Sequence, residues 1–193
     1  SIIGHAIDLS SFKNQKNNHQ FKNFLILSRI SKSKNLDVSI DAFLSSDFKS
    51  ENLDIIGGPL NQKDVQYESY LKEKYRIYNN VKFIGKVPYE KLPSFLKNYD
   101  VNFNSAGIGF FDKSVLETLS AGLINFYHNQ DFDSLYLNHS ENYYFTGKED
   151  LTEKINNLKF LNDNDLKELF NVLNMNLEQH SLETLGDRLS KFI

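Results

Sequence analysis

The stretch VNFNSAGIGFFDKSVLETLSAGLINFYH, residues 101–128, joins two short apolar runs through a glycine-bearing turn and a helix. The runs, Val101–Ser105 and Leu123–His128, have the length of buried strands, and the helix is predicted from Ser114 to Ala121. Strands joined by a helical crossover lie parallel, because the crossover returns the chain to the same edge of a sheet. This stretch therefore predicts a parallel α/β unit.

The same alternation extends over the rest of the chain. Further strands are predicted at Ser1–Gly4, Phe24–Arg29, Leu53–Gly57, Val81–Gly85 and Tyr143–Gly147, with a polar connector at Ser11–Gln20. Helices are predicted at Asn35–Ser46, at Lys63–Arg76, after Pro88 and, as two or three helices, from Lys148 to Ile193. Short buried strands separated by helices predict a Rossmann-like, three-layer α/β domain, whose mostly parallel sheet carries helices on both faces.

Composition limits the classes of function. The 193 residues fit one domain, and the net charge of −3 argues against nucleic acid binding, since no basic excess is present to neutralise a phosphate backbone. The absence of cysteine excludes disulfides, thiolate metal sites and a cysteine nucleophile, and it fits a reducing, cytoplasmic compartment. The amino terminus does not resemble a signal peptide, and no apolar run approaches the ~20 residues that span a bilayer.

The loop after the first long strand carries two candidate ligand-binding cations. Ligands of parallel sheets bind at the carboxyl ends of the strands, and Arg29 and Lys34 both follow such an end. Two fixed cations there can hold a diphosphate, each charge-assisted hydrogen bond contributing ~1.5–3 kcal/mol. The alternative is a solvated basic loop. The glycines of a Walker loop are missing from this segment.

The glycine-bearing turn and the helix after it form the second candidate. Gly107 and Gly109 allow the backbone to approach a ligand, and Asp112 can cap a helix whose amino terminus favours anions. Glu117, about one turn inside that helix, can accept hydrogen bonds from a pair of sugar hydroxyls. The alternative is a glutamate that faces solvent or pairs with a lysine. No spacing of histidines or aspartates predicts a bound metal.

Taken in order, these segments resemble the carboxyl-terminal, donor-nucleotide-binding half of a family 4 (group 1) glycosyltransferase with the GT-B fold. The resemblance rests on five segments, each given with the family pattern: SIIGHAIDLSSF with P-x-G-[IV]-D-x-x-x-F, FLILSRISKSKN with G-R-x-x-x-x-K-G, DIIGGP with I-V-G-x-G, VKFIGKVP with V-x-F-x-G-x-V, and SVLETLSAG with x-x-L-E-A-M-A-x-G. It covers nearly the whole chain, and the fixed order of the segments makes the joint signal specific.

The resemblance implies a role for each matching position. The implied sets are the donor diphosphate (Arg29, Lys34, Lys113, Ser114), the ribose (Glu117), the nucleobase (Lys86, Val87) and the donor-sugar pocket (Gly107, Gly109, Phe110, Phe111, Asp112). The family's Glu-x7-Glu motif is incomplete, because Gly109 occupies the position of its first glutamate. Ser28 and Asn35 likewise stand where the family has glycines. The catalytic group is therefore left unassigned.

The resemblance also implies an activity. It is a retaining, metal-independent transfer of a hexose from a UDP- or GDP-sugar to a glycan or glycolipid acceptor, without a cofactor. The acceptor would bind through an N-terminal domain, so the isolated chain is expected to bind nucleotide without turnover. A cytoplasmic location is implied, either free or with the full-length protein bound peripherally at the inner face of the cytoplasmic membrane.

The same resemblance divides the chain into three parts. Residues 1–20 would be an interdomain strand and connector, residues 21–163 the nucleotide-sugar-binding domain, and residues 164–193 C-terminal helices that return toward the absent N-terminal domain. The last helix is expected to span Asn164–Ile193 and to leave part of its apolar surface exposed, at Leu173, Leu177, Leu182, Leu185 and Leu189.

Two alternatives stay open. One is half of an isomerase that resembles UDP-GlcNAc 2-epimerase, which shares the GT-B fold but needs acid and base groups near the sugar; the segment AGIGFFD offers few. The other is a catalytically degenerate partner subunit that binds nucleotide, an interpretation favoured by the glycine at position 109.

Overall fold

The structure, a computed structural model, describes residues 6–13, 20–107, 109 and 111–190. Its five strands are β1 (Asn23–Leu27), β2 (Asn52–Ile56), β3 (Val81–Gly85), β4 (Val101–Asn104) and β5 (Ile124–Tyr127). They form one sheet in the spatial order β3-β2-β1-β4-β5, and each neighbouring pair is parallel. The predicted Rossmann-like parallel sheet is confirmed.

Helices follow the strands and cover both faces of the sheet. Within the described residues they are α1 (Leu9–Phe12), α2 (Leu36–Ser45), α3 (Gln62–Lys74), α4 (Leu92–Leu96), α5 (Lys113–Ser120), α6 (Asp133–Tyr136), α7 (Ser140–Tyr143), α8 (Lys148–Asn157), α9 (Asp163–Leu177) and α10 (Leu185–Ser190). The longer helices carry capping side chains, as at Asn61 before α3 and in the capping box of Asn162 and Asp165 at α9.

Successive residues of β1 pack into two different cores. Phe24 belongs to the larger core, where its ring centroid lies 5.1 Å from that of Phe43 in α2. Leu25, the next residue, belongs to a smaller core that includes Leu96 of α4. Because both faces of the strand are covered, every position in its middle is apolar and its sequence shows no polar alternation.

The chain order reverses between β1 and β4, which is the switch point where ligands bind in open α/β sheets. These two strands pair only through Phe24 with Val101 and Leu25 with Asn102. The next donor, the N–H of Leu27, bonds to the side-chain oxygen of Asn102 at 3.1 Å. The strands therefore part toward their carboxyl ends, and we call the opening between the loops that follow them the β1–β4 crevice.

The predicted strand Tyr143–Gly147 is wrong. Residues Ser140–Tyr143 form the short helix α7, and Tyr144 makes a single bridge to Tyr127 of β5. Tyr143 and Phe145 are both buried. The apolar run therefore reflects a helix end and the following turn packing against the core, which period-based reasoning does not separate from a buried strand.

The single last helix, Asn164–Ile193, is also wrong. Helix α9 ends at Leu177, and after a short 3-10 turn the extended Ser181 pairs with Ile7 near the other end of the chain. The apolar positions divide accordingly: two within α9 are buried (Leu173, Leu177), one after it is half-buried (Leu185), and two are 50% and 41% exposed (Leu182, Leu189).

The remaining differences are small. The helix predicted after Pro88 begins at Leu92, because a 3-10 turn, Tyr89–Lys91, comes first. The strand predicted at Ser1–Gly4 lies outside the described residues, and so do residues 14–19 of the predicted connector.

Candidate functional site

The two cations of the loop after β1, Arg29 and Lys34, differ in their exposure to solvent. Arg29 is exposed, and its guanidinium makes no hydrogen bond or ion pair with any residue that the structure describes. Lys34 ends a 3-10 turn, and its side chain is only 4% exposed. Asn35 then adopts a left-handed conformation (φ 46°), which turns the chain directly into α2. One cation thus faces solvent while the other is held inside the loop.

Lys34 is held by Asp112 across the β1–β4 crevice. Its Nζ lies 2.7 Å from both carboxylate oxygens of Asp112, and the side-chain amide of Asn104 donates to the same carboxylate at 3.1 Å. Asp112 is 24% exposed, so the pair is largely but not fully removed from water. The contact joins the loop after β1 to the start of α5 and neutralises both charges.

The amino end of α5 is left with free donors. Asp112 occupies the capping position but accepts no hydrogen bond from the helix, since its carboxylate is bonded to Lys34. Among the described residues, the N–H groups of Lys113 and Ser114 have no acceptor, and the buried hydroxyl of Ser114 has no partner. Free N–H groups together with the helix dipole favour an anion at this position.

Buried polar contacts fix α5 on the sheet. Thr118 donates to the side-chain oxygen of Asn125 in β5 at 2.8 Å, and Asn102 in β4 donates to the same atom at 2.6 Å. On the outer side, the Ser120 hydroxyl donates to the carbonyl of Leu9 in α1 at 3.1 Å. The helix is therefore anchored to two strands and to the segment near the amino end of the chain.

Glu117 is a buried carboxylate on this anchored helix. It is 7% exposed, and burial raises the pKa of its carboxyl group above the usual value. Hydrogen bonding from the Tyr89 hydroxyl and the positive charge of Lys113 lower that pKa and offset part of the effect. A buried carboxylate with one phenol partner keeps acceptor positions for other hydroxyl groups.

Tyr89 reaches Glu117 from the loop after β3. Its ring is 56% exposed and stands edge-on to the buried ring of Phe12, with 5.7 Å between the centroids. Burial of the hydroxyl raises the pKa of Tyr89, and the negative charges of Glu117 and then Asp8 raise it further. Sequence reasoning missed this residue, although it lies only two positions beyond Val87 in a loop already assigned to ligand binding.

The two positions predicted to meet a nucleobase differ in exposure. Lys86 is exposed, and its stem lies so close to Gly58 that an added Cβ there would be 3.0 Å from Lys86 Cε. Val87 is half-buried and packs against the smaller core. Among the described residues, no hydrogen bond or ion pair joins Arg29 or Lys86 to Lys34, Asp112 or Glu117.

Only some residues of the predicted sugar pocket are accessible to a ligand. Gly107 is half-buried, and Gly109 is exposed with φ 87° and open space around the position of a Cβ. The ring of Phe111 is engaged in packing, 4.6 Å from Phe132 and 5.5 Å from His180 between centroids. Phe110 lies outside the described residues.

Over residues 6–13, 20–107, 109 and 111–190, no group of three or more histidine, aspartate or glutamate side chains could hold a metal ion. Nor does any helix in those ranges combine the length and apolar character required to cross a bilayer.

Comparison with known families identifies the chain. The family described as glycosyl transferases group 1 matches residues 8–172. The chain belongs to this family. A search of the curated proteins finds no match to this glycosyltransferase domain.

Solved structures agree with the family fold. Sucrose-phosphate synthase from Thermosynechococcus elongatus has a TM-score of 0.80 at 14% identity over 98% of this chain and 51% of its own. HepE from Anabaena, crystallised with UDP, has a TM-score of 0.77 at 16% identity over 97% of this chain and 55% of its own. The C-terminal domain of the group 1 protein LpcC from Francisella tularensis is covered completely, together with 92% of this chain, at a TM-score of 0.71 and 16% identity. The glycosyltransferase domain thus spans about half the length of HepE and of the synthase.

Proposed function

We propose that this domain binds the nucleotide of a sugar donor in the β1–β4 crevice and that, joined to an N-terminal half, it transfers a hexose to a glycan or glycolipid acceptor. The observation that carries the proposal is the grouping of two complementary features on one helix. The amino end of α5 presents free N–H groups for a phosphate, and Glu117 presents a buried carboxylate for hydroxyl groups.

The diphosphate would lie at the amino end of α5. There the N–H groups of Lys113 and Ser114 and the Ser114 hydroxyl are free to donate among the described residues, and Lys34 is close by on Asp112. Arg29, exposed on the neighbouring loop, would close over the phosphates. We propose that the charge of Arg29 and the N–H groups of α5 take the place that a divalent metal has in other transferases, so that the reaction is metal-independent. Retention of configuration is proposed from the resemblance to the family.

The nucleoside would lie between α5 and the loop after β3. Glu117 accepts the ribose hydroxyls, while the backbone around Lys86 and Val87 meets the base, with Tyr89 alongside. UDP is the favoured nucleotide, since HepE was crystallised with UDP-glucose and the pneumococcal O-GlcNAc transferase GtfA with UDP and GlcNAc. The hexose would extend past Gly107 and Gly109, where the missing glutamate leaves open space.

The division of the chain follows from the same proposal. Residues 21–163 would form the donor domain, residues 1–20 the interdomain segment and residues 164–193 the return toward the N-terminal half, which would bind the acceptor. The bridge between Ile7 and Ser181 supports this arrangement, because it brings the two outer segments side by side. We expect the isolated chain to bind nucleotide without turnover.

A catalytically degenerate partner subunit is the second candidate function. Gly109 favours it, because a glycine cannot supply the contact to the donor sugar that the family's first glutamate makes. In that case the full-length protein would bind nucleotide but transfer no sugar. A transfer assay on the full-length protein separates the two candidates, and no observation in the structure favours an isomerase.

A thermal-shift panel tests the proposed function. We expect one of UDP, GDP and ADP to stabilise the chain, by about 2.7 kcal/mol at 100 times its dissociation constant and equally with or without magnesium.

Arg29→Ala should lose about 1.5–3 kcal/mol of binding free energy, with a strong dependence on salt. Arg76→Ala, at an exposed arginine on the carboxyl side of α3, is the matched control. If full-length protein responds to no nucleotide, or if Arg29→Ala binds as the parent does, the assignment is wrong.

Tyr89→Phe is expected to shift the pH dependence of UDP binding. The Tyr89 hydroxyl lowers the pKa of Glu117, so its removal lets burial raise that pKa further, and Glu117 becomes protonated at a higher pH. Binding should therefore weaken earlier on acidification, in dissociation constants measured from about pH 5 to about pH 8. Tyr78→Phe, at a tyrosine 39% exposed outside this site, should keep the parent profile. Identical profiles for all three proteins would remove Tyr89 from the site.

A further inference from the structure

A cavity of about 330 Å³ lies away from the β1–β4 crevice, between α7, α8 and the turn that follows α8. Phe126 of β5 also lines it, and its volume is in the range of small-ligand sites. The turn after α8 lies at the edge of the sheet where the strands begin, because Lys159 bonds to Asp47, in the connection from α2 to β2, at 2.7 Å. The donor would bind at the opposite edge, so the two sites are separate.

Apolar side chains form one part of the cavity wall. Phe126 and Leu158 are buried, and the ring of Tyr143 lies 5.7 Å from that of Phe126 between centroids. Phe160 also lines the cavity and is 71% exposed, which places it at the rim. Lys159 Nζ lies 5.1 Å from the centroid of the Phe160 ring, so this ring already attracts one cation. Together these residues favour a ligand with an apolar ring or alkyl body.

The hydroxyl of Tyr143 is an unused hydrogen-bonding group in this wall. Tyr143 is only 5% exposed, and its hydroxyl makes no hydrogen bond with any residue that the structure describes. The hydroxyls of two nearby buried tyrosines are both bonded: that of Tyr136 donates to the carbonyl of Asn125, and that of Tyr127 donates to Asp133, each at 2.9 Å. Because buried hydroxyls normally have a partner, the Tyr143 hydroxyl is available to a ligand in the cavity.

The charged side chains that line the cavity sum to one negative charge. Lys154 balances Asp150, because its Nζ lies 3.3 Å from that carboxylate. Glu153 is exposed, and its carboxylate makes no hydrogen bond or ion pair with any described residue. Burial and then the negative charge of Asp165 raise the pKa of Tyr143, so a further carboxylate acts on the same wall. The cavity therefore favours a cation over a neutral or anionic ligand.

We propose that this cavity binds a small organic cation, a primary amine carried on an aromatic ring or a short alkyl chain. The ammonium group donates to the Glu153 carboxylate and to the oxygen of the Tyr143 hydroxyl, both of which accept hydrogen bonds. The apolar body of the amine packs against Phe126 and Leu158. The proposal does not depend on the nucleotide site, because none of the cavity's lining residues belongs to the β1–β4 crevice.

Amide chemical-shift perturbation on the ¹⁵N-labelled chain tests the proposal, with phenethylamine as the probe. Two analogues, 2-phenylethanol and phenylacetate, keep the ring and replace the ammonium group by a neutral hydroxyl and by a carboxylate. We expect phenethylamine to move the amides of residues 142–143 and 150–161 and to bind about fivefold more tightly than either analogue.

Three variants make the test specific to the cavity. Glu153→Gln should remove most of the preference for the amine, since it removes the unpaired charge. Tyr143→Phe should weaken amine binding by about twofold to tenfold through the loss of one hydrogen bond. Glu149→Gln, at an exposed glutamate of α8 that does not line the cavity, is the matched control and should bind as the parent does.

The outcomes are independent of those for the nucleotide site. The cavity is not a site for organic cations if phenethylamine moves none of these amides, if 2-phenylethanol binds as tightly, or if either Glu153→Gln or Tyr143→Phe binds the amine as the parent does. UDP added to the same samples reports on the donor site alone. Amine binding that persists when UDP causes no shift would support the cavity and overturn the donor site.

Discussion

Replacing Lys34 by methionine is expected to lower the free energy of unfolding by about 2–3 kcal/mol. Methionine keeps the unbranched stem but removes the charge, so the carboxylate of Asp112 loses its two bonds at 2.7 Å. Breaking a buried ion pair costs ~3–5 kcal/mol, and we take a lower value because water can reach the 24% exposed Asp112. Urea unfolding of the variant and the parent measures the difference.

Two further variants make this prediction specific. Lys32→Met changes an exposed lysine two positions earlier and should alter the unfolding free energy by less than about 0.5 kcal/mol. Lys34→Met combined with Asp112→Asn should regain part of the loss, because no unpaired buried charge remains. If Lys34→Met is as stable as Lys32→Met, the contact with Asp112 contributes nothing to the fold.

The central strands could be predicted from the sequence because they are buried on both faces. The continuous apolar run Phe24–Leu27 of β1 is buried throughout, whereas the edge strand Val81–Gly85 alternates with the exposed residues Lys82 and Ile84 and still matches its predicted bounds. The same reasoning failed at Tyr143–Gly147, where apolar residues are buried at the end of a helix. The apolar pattern indicates which residues are buried, and tertiary contacts decide whether those residues lie in a strand or in a helix.

Sequence reasoning could place the candidate site only to the level of loops. The rule that ligands bind after the carboxyl ends of strands selected the segments that carry Lys34 and Glu117. The partners of these residues could not be predicted, because they come from distant parts of the chain. Lys34 and Asp112 are 78 residues apart, and the approach of Tyr89 to Glu117 depends on the path of the loop after β3.

Replacing Glu117 by glutamine is expected to weaken UDP binding about 10–100-fold while changing pyrophosphate binding by less than about twofold. The variant keeps the size of the side chain but loses a charged acceptor, and a hydrogen bond to a charged group contributes ~1.5–3 kcal/mol. The parent should prefer UDP to 2′-deoxy-UDP, and the variant should lose that preference. Isothermal titration with UDP, 2′-deoxy-UDP and pyrophosphate measures the three affinities. Glu90→Gln, at an exposed glutamate next to Tyr89, is the matched control.

The stability of the same variant distinguishes a ligand-binding role from a structural one. Burial raises the pKa of the Glu117 carboxyl group, so the folded domain holds this proton more tightly than the unfolded chain does. The contribution of Glu117 to stability is therefore fully present below the unfolded pKa and is lost as the pH rises through the folded pKa. Above the folded pKa the ionised carboxylate therefore lowers the stability of the free domain, and Glu117→Gln should there be as stable as the parent or more stable. A carboxylate that destabilises the domain without ligand is explained by a role in ligand binding. If the variant unfolds more easily at neutral pH and binds UDP as the parent does, Glu117 serves the packing of α5 instead.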